Sequence, residues 1–270
     1  MQPKLGILAG GGELPRLLVN ACHVADRDVF VIAFKGQCDR QTTCGVDHAW
    51  VRLGAAGQTI QRLRDNGVED LVMAGRIRRP GIASLMPDAR ALKILAGGVM
   101  NRGDDGLLRT IIEALEHEEG FHMVGVHDVM PELLSPQGVL GDMVPTATEQ
   151  VDIDVAVRAA LDLGAQDKGQ AAVALGGHVV ALEDQHGTDA MLKRLAGSGQ
   201  GRGGVLAKMT KPGQERRADL PTIGPDTIDN AHDAGLKGIV LEAHGSLIVE
   251  RDKVIEAANA KGVFVVGVKP

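Results

Sequence analysis

Tyrosine is absent from this 270-residue chain, and with four Phe and one Trp the aromatics make up 2% of it. That scarcity nearly excludes a stacking platform for bases or sugar rings, and it leaves core volume to Leu, Val, Ile, Ala and Met. Cysteine is almost as rare. Cys22, Cys38 and Cys44 are odd in number and match no zinc-ligand spacing, so they read as reduced thiols in a reducing compartment, with no chemistry assigned. The nine histidines show neither H-x-x-x-H nor H-E-x-x-H, which leaves a histidine zinc site without support. A G-x-S-x-G elbow is missing, and no cysteine has an obvious base, so acyl-enzyme chemistry has none either. No apolar run approaches the roughly 20 residues of a membrane span. The opening twelve residues lack the apolar core and cleavage site of a signal peptide, so the cytoplasm is the expected compartment. Positive charge is also short: 29 Lys and Arg against 35 Asp and Glu give a net charge of -6. A general nucleic-acid binder needs a basic surface, so no nucleic acid is expected as a partner.

What the chain does have is an alternating α/β pattern, long enough for two domains of about 130 residues each. Residues 4–9 read as a buried strand, Gly10, Gly11 and Gly12 as a turn, and residues 14–25 as a helix. Glycines let the backbone approach a ligand, and a helix start offers N–H groups to an anion, so pyrophosphate is the natural guest. Pro15 stands where the third glycine of G-x-G-x-x-G would be. The next strand, 28–34, ends at Lys35, where a nicotinamide-dinucleotide protein places an acid for the ribose. A nicotinamide cofactor is therefore disfavoured. Short strands at 48–52 and 70–75, a helix at 57–66, helices at 88–100 and 106–118, and a strand at 121–127 complete this half. Arg76, at the end of the 70–75 strand, opens a run of three arginines that suits a phosphate clamp.

Pro131, Pro136, Pro145, Gly138 and Gly141 break the periodicity that follows. The expected organisation is a Rossmann-like N-terminal domain over 1–132, a linker over 133–149, and a C-terminal α/β domain over 150–270, with the ligand cleft between the two domains. In the second half, 151–164 reads as an amphipathic helix and 170–183 as a hairpin turning at Gly176-Gly177. A helix starts at Gly187 with Thr188 as its N-cap and Asp189 in its first turn. Residues 208–224 form a polar loop between a buried strand and a helix opened by Pro225. Lys208, Lys211, Arg216 and Arg217 stand there with Glu215 and Asp219. Cations suit phosphate and carboxylates suit a metal ion, although a solvated, self-neutralising loop has the same composition.

Taken together, Leu8-Ala-Gly-Gly-Gly-Glu-Leu-Pro15, Met86-Pro-Asp-Ala-Arg90, Gly103-Asp-Asp105, Gly169-Gln170, Gly187-Thr-Asp-Ala-Met191 and Lys211-Pro-Gly-Gln-Glu-Arg-Arg-Ala-Asp-Leu-Pro-Thr-Ile-Gly224 resemble the LpxI family. These are the UDP-2,3-diacylglucosamine pyrophosphatases of lipid A biosynthesis. The resemblance implies hydrolysis of UDP-2,3-diacylglucosamine to UMP and 2,3-diacylglucosamine 1-phosphate, with Mg2+ as cofactor. It makes Asp219 the essential acid and a metal ligand together with Asp189. It also implies that Gly11, Gly12, Arg76, Lys93, Gly187, Thr188, Asp189, Lys208, Gln214 and Thr222 meet the substrate. Where it leads one to expect Glu before Gly-Thr-Asp, this chain has His186. A diacylated substrate implies peripheral contact with the inner membrane surface, with apolar lining expected from 82–94 and 123–140 and cations such as Lys93 and Arg102 at its rim. A homodimer is compatible with all of this. The competing reading is a non-catalytic protein that holds UDP for regulation.

Overall fold

A computed structural model describes residues 2–78, 85–96 and 104–270, with side chains in the last segment from residue 106. The expectations for Arg79, Ile82, Met100, Arg102 and Gly103 lie outside the described residues, as do the side chains of Asp104 and Asp105. The chain divides into two compact units, Met1–Pro131 with Glu215–Asp219, and Glu132–Gln214 with Leu220–Pro270.

In the first unit, β1 (Leu5–Ala9) sits at the centre of a parallel sheet. Around it lie β2 (Val29–Phe34), β3 (His48–Val51), β4 (Asp70–Ala74) and β5 (His122–Met123), in the order β3-β2-β1-β4-β5. Every residue of β1 is buried, as a strand covered on both faces requires, which is why it reads as one apolar run. Helix α1 (Leu14–Val24) turns Leu18, Val19 and Cys22 inward and packs on β1 and β2. On the other face, Ile60 and Leu63 of α2 (Ala56–Asp65) join Leu8, Phe30, Ile32 and Leu71 in one core. Helices on both faces and this strand order are the plan of doubly wound nucleotide-binding folds. Helix α3 (Ala89–Ala96) begins at Asp88, whose Oδ1 accepts the Ala91 N–H at 2.8 Å. Helix α4 (Asp104–Glu113) runs on into a π-helical turn, Ala114–Glu118.

The strand expected over 121–127 is a correction: only His122–Met123 pair with β4, and Val126–Val129 form the short helix α5. The Asp128 carboxylate accepts the Gly125 N–H at 2.7 Å. This local cap outweighs the alternating valines that suggested a strand.

The second unit is three-layered. Its sheet runs β6 (Gly138–Leu140), β13 (Phe264–Val268), β11 (Gly238–Glu242), β9 (Val205–Lys208), β7 (Ala171–Leu175), β8 (His178–Leu182). The strands β9, β11 and β13 are mutually parallel, while β6, β7 and β8 each run antiparallel to the neighbour they join. Ile153, Ala156 and Ala160 of α6 (Ala147–Ala165) cover one face. Helices α7 (Gly187–Ser198), α8 (Pro225–Asp233) and α9 (Arg251–Lys261) contribute to the core over Leu206, Ile239, Leu241 and Val265 on the other. A two-stranded parallel ladder joins β10 (Thr222–Ile223) to β12 (Leu247–Ile248).

The stretch 133–149 carries structure of its own, supplying edge strand β6 and the first turn of α6. Thr146 caps that helix through a capping box: its Oγ1 accepts the Glu149 N–H at 3.3 Å, and Glu149 Oε2 accepts the Thr146 N–H at 2.6 Å. Helix α6 therefore starts four residues before the position its apolar period marks. The 178 side of the hairpin begins as expected, for Gly176 and Gly177 have φ of +59° and +78°, both positive as a type I′ turn demands.

Candidate functional site

In the first unit the glycine turn closes against the exit of β4 through backbone alone. Gly11 and Arg76 exchange two N–H to carbonyl bonds, each 2.9 Å. A Cβ at Gly10 would stand 2.5 Å from the Arg76 carbonyl, and Gly75, at φ +90°, leaves a Cβ no room against the Gly11 carbonyl or the Pro15 ring. Pro15 in place of a third glycine is thus accommodated by Gly75 on the neighbouring strand. The Gln37 side chain ties in the β2 exit, donating to the Arg78 carbonyl at 3.0 Å and accepting its N–H at 2.8 Å. Arg76 emerges exposed at the C-terminal end of β4, the end where open α/β sheets bind ligands.

The acid that the sequence lacks at Lys35 arrives from four residues further on. Asp39 Oδ2 accepts the Gly12 N–H at 2.9 Å. Nothing in the spacing marks Asp39, because the loop after β2 must fold back across the turn before the two meet.

Asp219 closes the segment Glu215–Asp219, which counts with this first unit although Gln214 and Leu220 on either side of it count with the second. The segment is a tight turn, with the Ala218 and Asp219 N–H groups donating to the Glu215 carbonyl at 3.0 and 3.1 Å. It is held by Ala218, which packs on the core of α2 and the sheet, and by Arg217. That guanidinium forks onto both Glu215 oxygens at 2.9 and 3.0 Å and reaches Glu116 Oε1 at 2.7 Å. The Arg217 hydrogen bonds hold the Glu215 carboxyl below its usual range, and the two carboxylates push the guanidinium still higher. Asp219 itself is half-buried. Glu116, 101 residues away in sequence from Arg217, was invisible to motif reading.

Lys93 lies apart from the turn's bonding network, in an ion cluster on α3. Its ammonium reaches Glu118 Oε2 at 3.0 Å, beside Arg90, which also meets Glu119. The Lys93 bond is the chief reason the Glu118 carboxyl sits below its ordinary value.

In the second unit, Lys208, Glu183 and Thr188 lie where β9 and β8 end and β7 begins. Lys208 ends β9, buried to 7% exposure, and its Nζ donates to the Thr222 carbonyl at 3.1 Å. Register places Lys208 opposite Ala171 of β7, and the Glu183 N–H donates to the Ala171 carbonyl at 2.9 Å. Glu183, also buried, receives the Thr188 hydroxyl on Oε1 at 2.6 Å and the Gln170 N–H on Oε2 at 2.7 Å. Thr188 is therefore not the N-cap of α7. The helix already begins at Gly187, whose φ of +82° turns the chain in, so the hydroxyl lies inside the first turn and serves the buried carboxylate. Asp189 Oδ1 lies 3.5 Å from Asn230 Nδ2. Gln214, buried, accepts the Lys211 N–H at 3.0 Å. Glu183 is the residue here that motif reading passed over, having seen it only as the end of a hairpin arm. Beside His186, Asp184 Oδ1 accepts the His186 N–H at 2.9 Å and its Oδ2 pairs with Arg194 at 3.0 Å.

Among the described residues no three His, Cys, Asp or Glu converge as a metal cage. Mg2+ rarely uses one, being held by one or two carboxylates together with substrate phosphates and water.

Residues 4–133 match the family described as the LpxI N-terminal domain, and residues 136–266 match the LpxI C-terminal domain. The chain is 44% identical over 278 aligned positions to UDP-2,3-diacylglucosamine pyrophosphatase LpxI of Caulobacter vibrioides, an alignment covering 99% of this chain and 98% of that protein.

Proposed function

Because the chain belongs to the LpxI family, we propose that it hydrolyses UDP-2,3-diacylglucosamine, releasing UMP and 2,3-diacylglucosamine 1-phosphate, as a step in lipid A biosynthesis. The observation that carries this is the reach of the likeness: it spans 99% of the chain, including the glycine turn, Lys208 and the 211–224 loop. Opening a pyrophosphate needs charge neutralised on the phosphoryl oxygens and a water aimed at phosphorus. Lys208 is suited to the first task, since a buried ammonium acts through a low dielectric. Arg76, Gln214 and Thr222 add donors, while Gly11, Gly12, Gly187 and Thr188 complete the substrate contacts. Asp219 is the acid that orients or deprotonates the water. Mg2+, bound through Asp219 and Asp189, would supply further neutralisation of the phosphates.

Among the described residues no helix is long and apolar enough to cross a membrane. Access to a diacylated substrate then requires peripheral contact with a bilayer surface.

The test is release of UMP from the lipid substrate by the purified protein, with and without EDTA. Turnover that EDTA abolishes and added Mg2+ restores is expected. UDP binding with no turnover under any metal would overturn the enzyme reading in favour of a regulatory nucleotide binder.

A further inference from the structure

Residues 209–221, which carry Asp219, form neither helix nor strand. The turn from Glu215 to Asp219 closes on itself through the Ala218 and Asp219 N–H groups, which both donate to the Glu215 carbonyl. Bonds of that kind shape a turn but do not locate it, so its side chains must. One anchor is Arg217: Nε and Nη2 fork onto the Glu215 carboxylate, and Nη1 reaches Glu116 Oε1 at 2.7 Å. The same Glu116 oxygen accepts the Met123 N–H at 3.3 Å, which ties the turn to β5. Arg109 of α4 helps to hold the Glu215 carboxyl low, so two guanidiniums stand against two carboxylates.

Glu116 comes from the π-helical turn Ala114–Glu118. Such turns are rare, and they recur at functional sites. Here the turn delivers a carboxylate to a residue 101 positions away. With Glu215 and Glu116 on its guanidinium, Arg217 has its charge met inside the protein, so this cation serves geometry and not phosphate. A group that aims a water gains from being held, since a displacement of about 1 Å can cost about a hundredfold in rate. We infer that Glu116 is a positioning residue of the hydrolysis: through Arg217 it fixes the turn that carries Asp219, so that the Asp219 carboxylate meets the substrate in one place. That role rests on Asp219 acting as proposed above.

Steady-state kinetics of UMP release by the full-length protein, with amide hydrogen exchange over residues 215–219, test it. Glu116→Ala is expected to lower kcat about tenfold to a hundredfold while KM stays within about twofold, and to speed exchange across the turn about tenfold or more. Glu116→Gln keeps an acceptor for Arg217 and Met123 and is expected to restore most of both. Arg217→Lys keeps the charge but loses the fork, and it gives the same reading if Glu116→Ala folds poorly: kcat is expected to fall by a similar factor. In an Asp219→Ala background, Glu116→Ala is expected to change the residual rate by less than about twofold, because residues that act as one unit are not additive. Wild-type kcat in Glu116→Ala, unchanged exchange over the turn, or the full loss repeated in the Asp219→Ala background overturns the inference and leaves the proposed function standing. Undiminished turnover by Asp219→Ala strikes Asp219 as the acid, no turnover by the wild type strikes the proposed function itself, and either takes the role of Glu116 with it.

Discussion

The glycine turn of the first unit and the polar cluster at the strand ends of the second unit's sheet solve opposite problems. At the turn, side chains are absent where they would obstruct: Gly10, Gly11 and Gly75 bring two strand exits into backbone contact, and one carboxylate, Asp39, latches the result. At the strand ends of the second sheet, side chains are present where burial makes them costly: Lys208, Glu183 and Thr188 are each less than a tenth exposed. A buried charge is kept only with partners, and each of these has one. The first region is shaped by what it leaves out, and its defects should be steric. The second is shaped by what it buries, and its defects should be electrostatic.

The largest effect is expected outside both regions. Asp219→Ala should lower the turnover number for UMP release by about two to four orders of magnitude, with little change in thermal midpoint. If Asp219 only shapes its loop, Asp219→Asn keeps most of the activity. Near-wild-type turnover by both variants would remove it from the mechanism.

The steric region is probed by a pair of alanines. Gly10→Ala forces a Cβ to 2.5 Å from the Arg76 carbonyl and should cost about 1–3 kcal/mol or more in denaturant unfolding, since backbone cannot yield as a side chain can. Gly12→Ala meets nothing within 4 Å but must hold φ near +90°, so it should cost only about 1–2 kcal/mol. Equal losses would mean that the turn relaxes freely and that contact is not what selects glycine.

For the electrostatic region, Thr188→Val keeps the shape but withdraws a donor from buried Glu183. A loss of about 1–3 kcal/mol is expected, recovered by Thr188→Ser. No recovery with serine would point to packing of the threonine methyl instead.

The smallest effect concerns the turn that carries Asp219. Arg217 holds the Glu215 carboxyl below its ordinary value of 4.5, so the folded form binds its proton more weakly than the unfolded chain does. That stabilisation is complete above pH about 4.5 and is lost as pH falls through the lower folded value. Wild type should therefore exceed Glu215→Gln by up to about 1 kcal/mol at pH 7, and the gap in thermal midpoint should close as pH falls below about 4.5. A gap that stays constant with pH would remove the ion pair as its cause.

Much of the scaffold was legible in the residues themselves. A fully apolar run reads as a doubly covered strand, Pro225 opens α8, and Gly176-Gly177 turns a hairpin, because each depends on local dihedral preference or on short-period burial. Within the second unit, Lys208, Thr188 and Asp189 stand out in the sequence and the family resemblance adds Thr222, while tertiary structure supplied Glu183, the carboxylate that binds Thr188. What only the tertiary structure decided are the pairings across crossovers: Asp39 on Gly12, 27 residues apart, Glu116 on Arg217, 101 residues apart, and β6 on β13. The membership of Glu215–Asp219 in the first unit was decided the same way. Periodicity and turn chemistry record which face a residue presents and where the chain bends. They do not record which distant loop folds onto that face, since that follows from the order in which strands are laid beside one another.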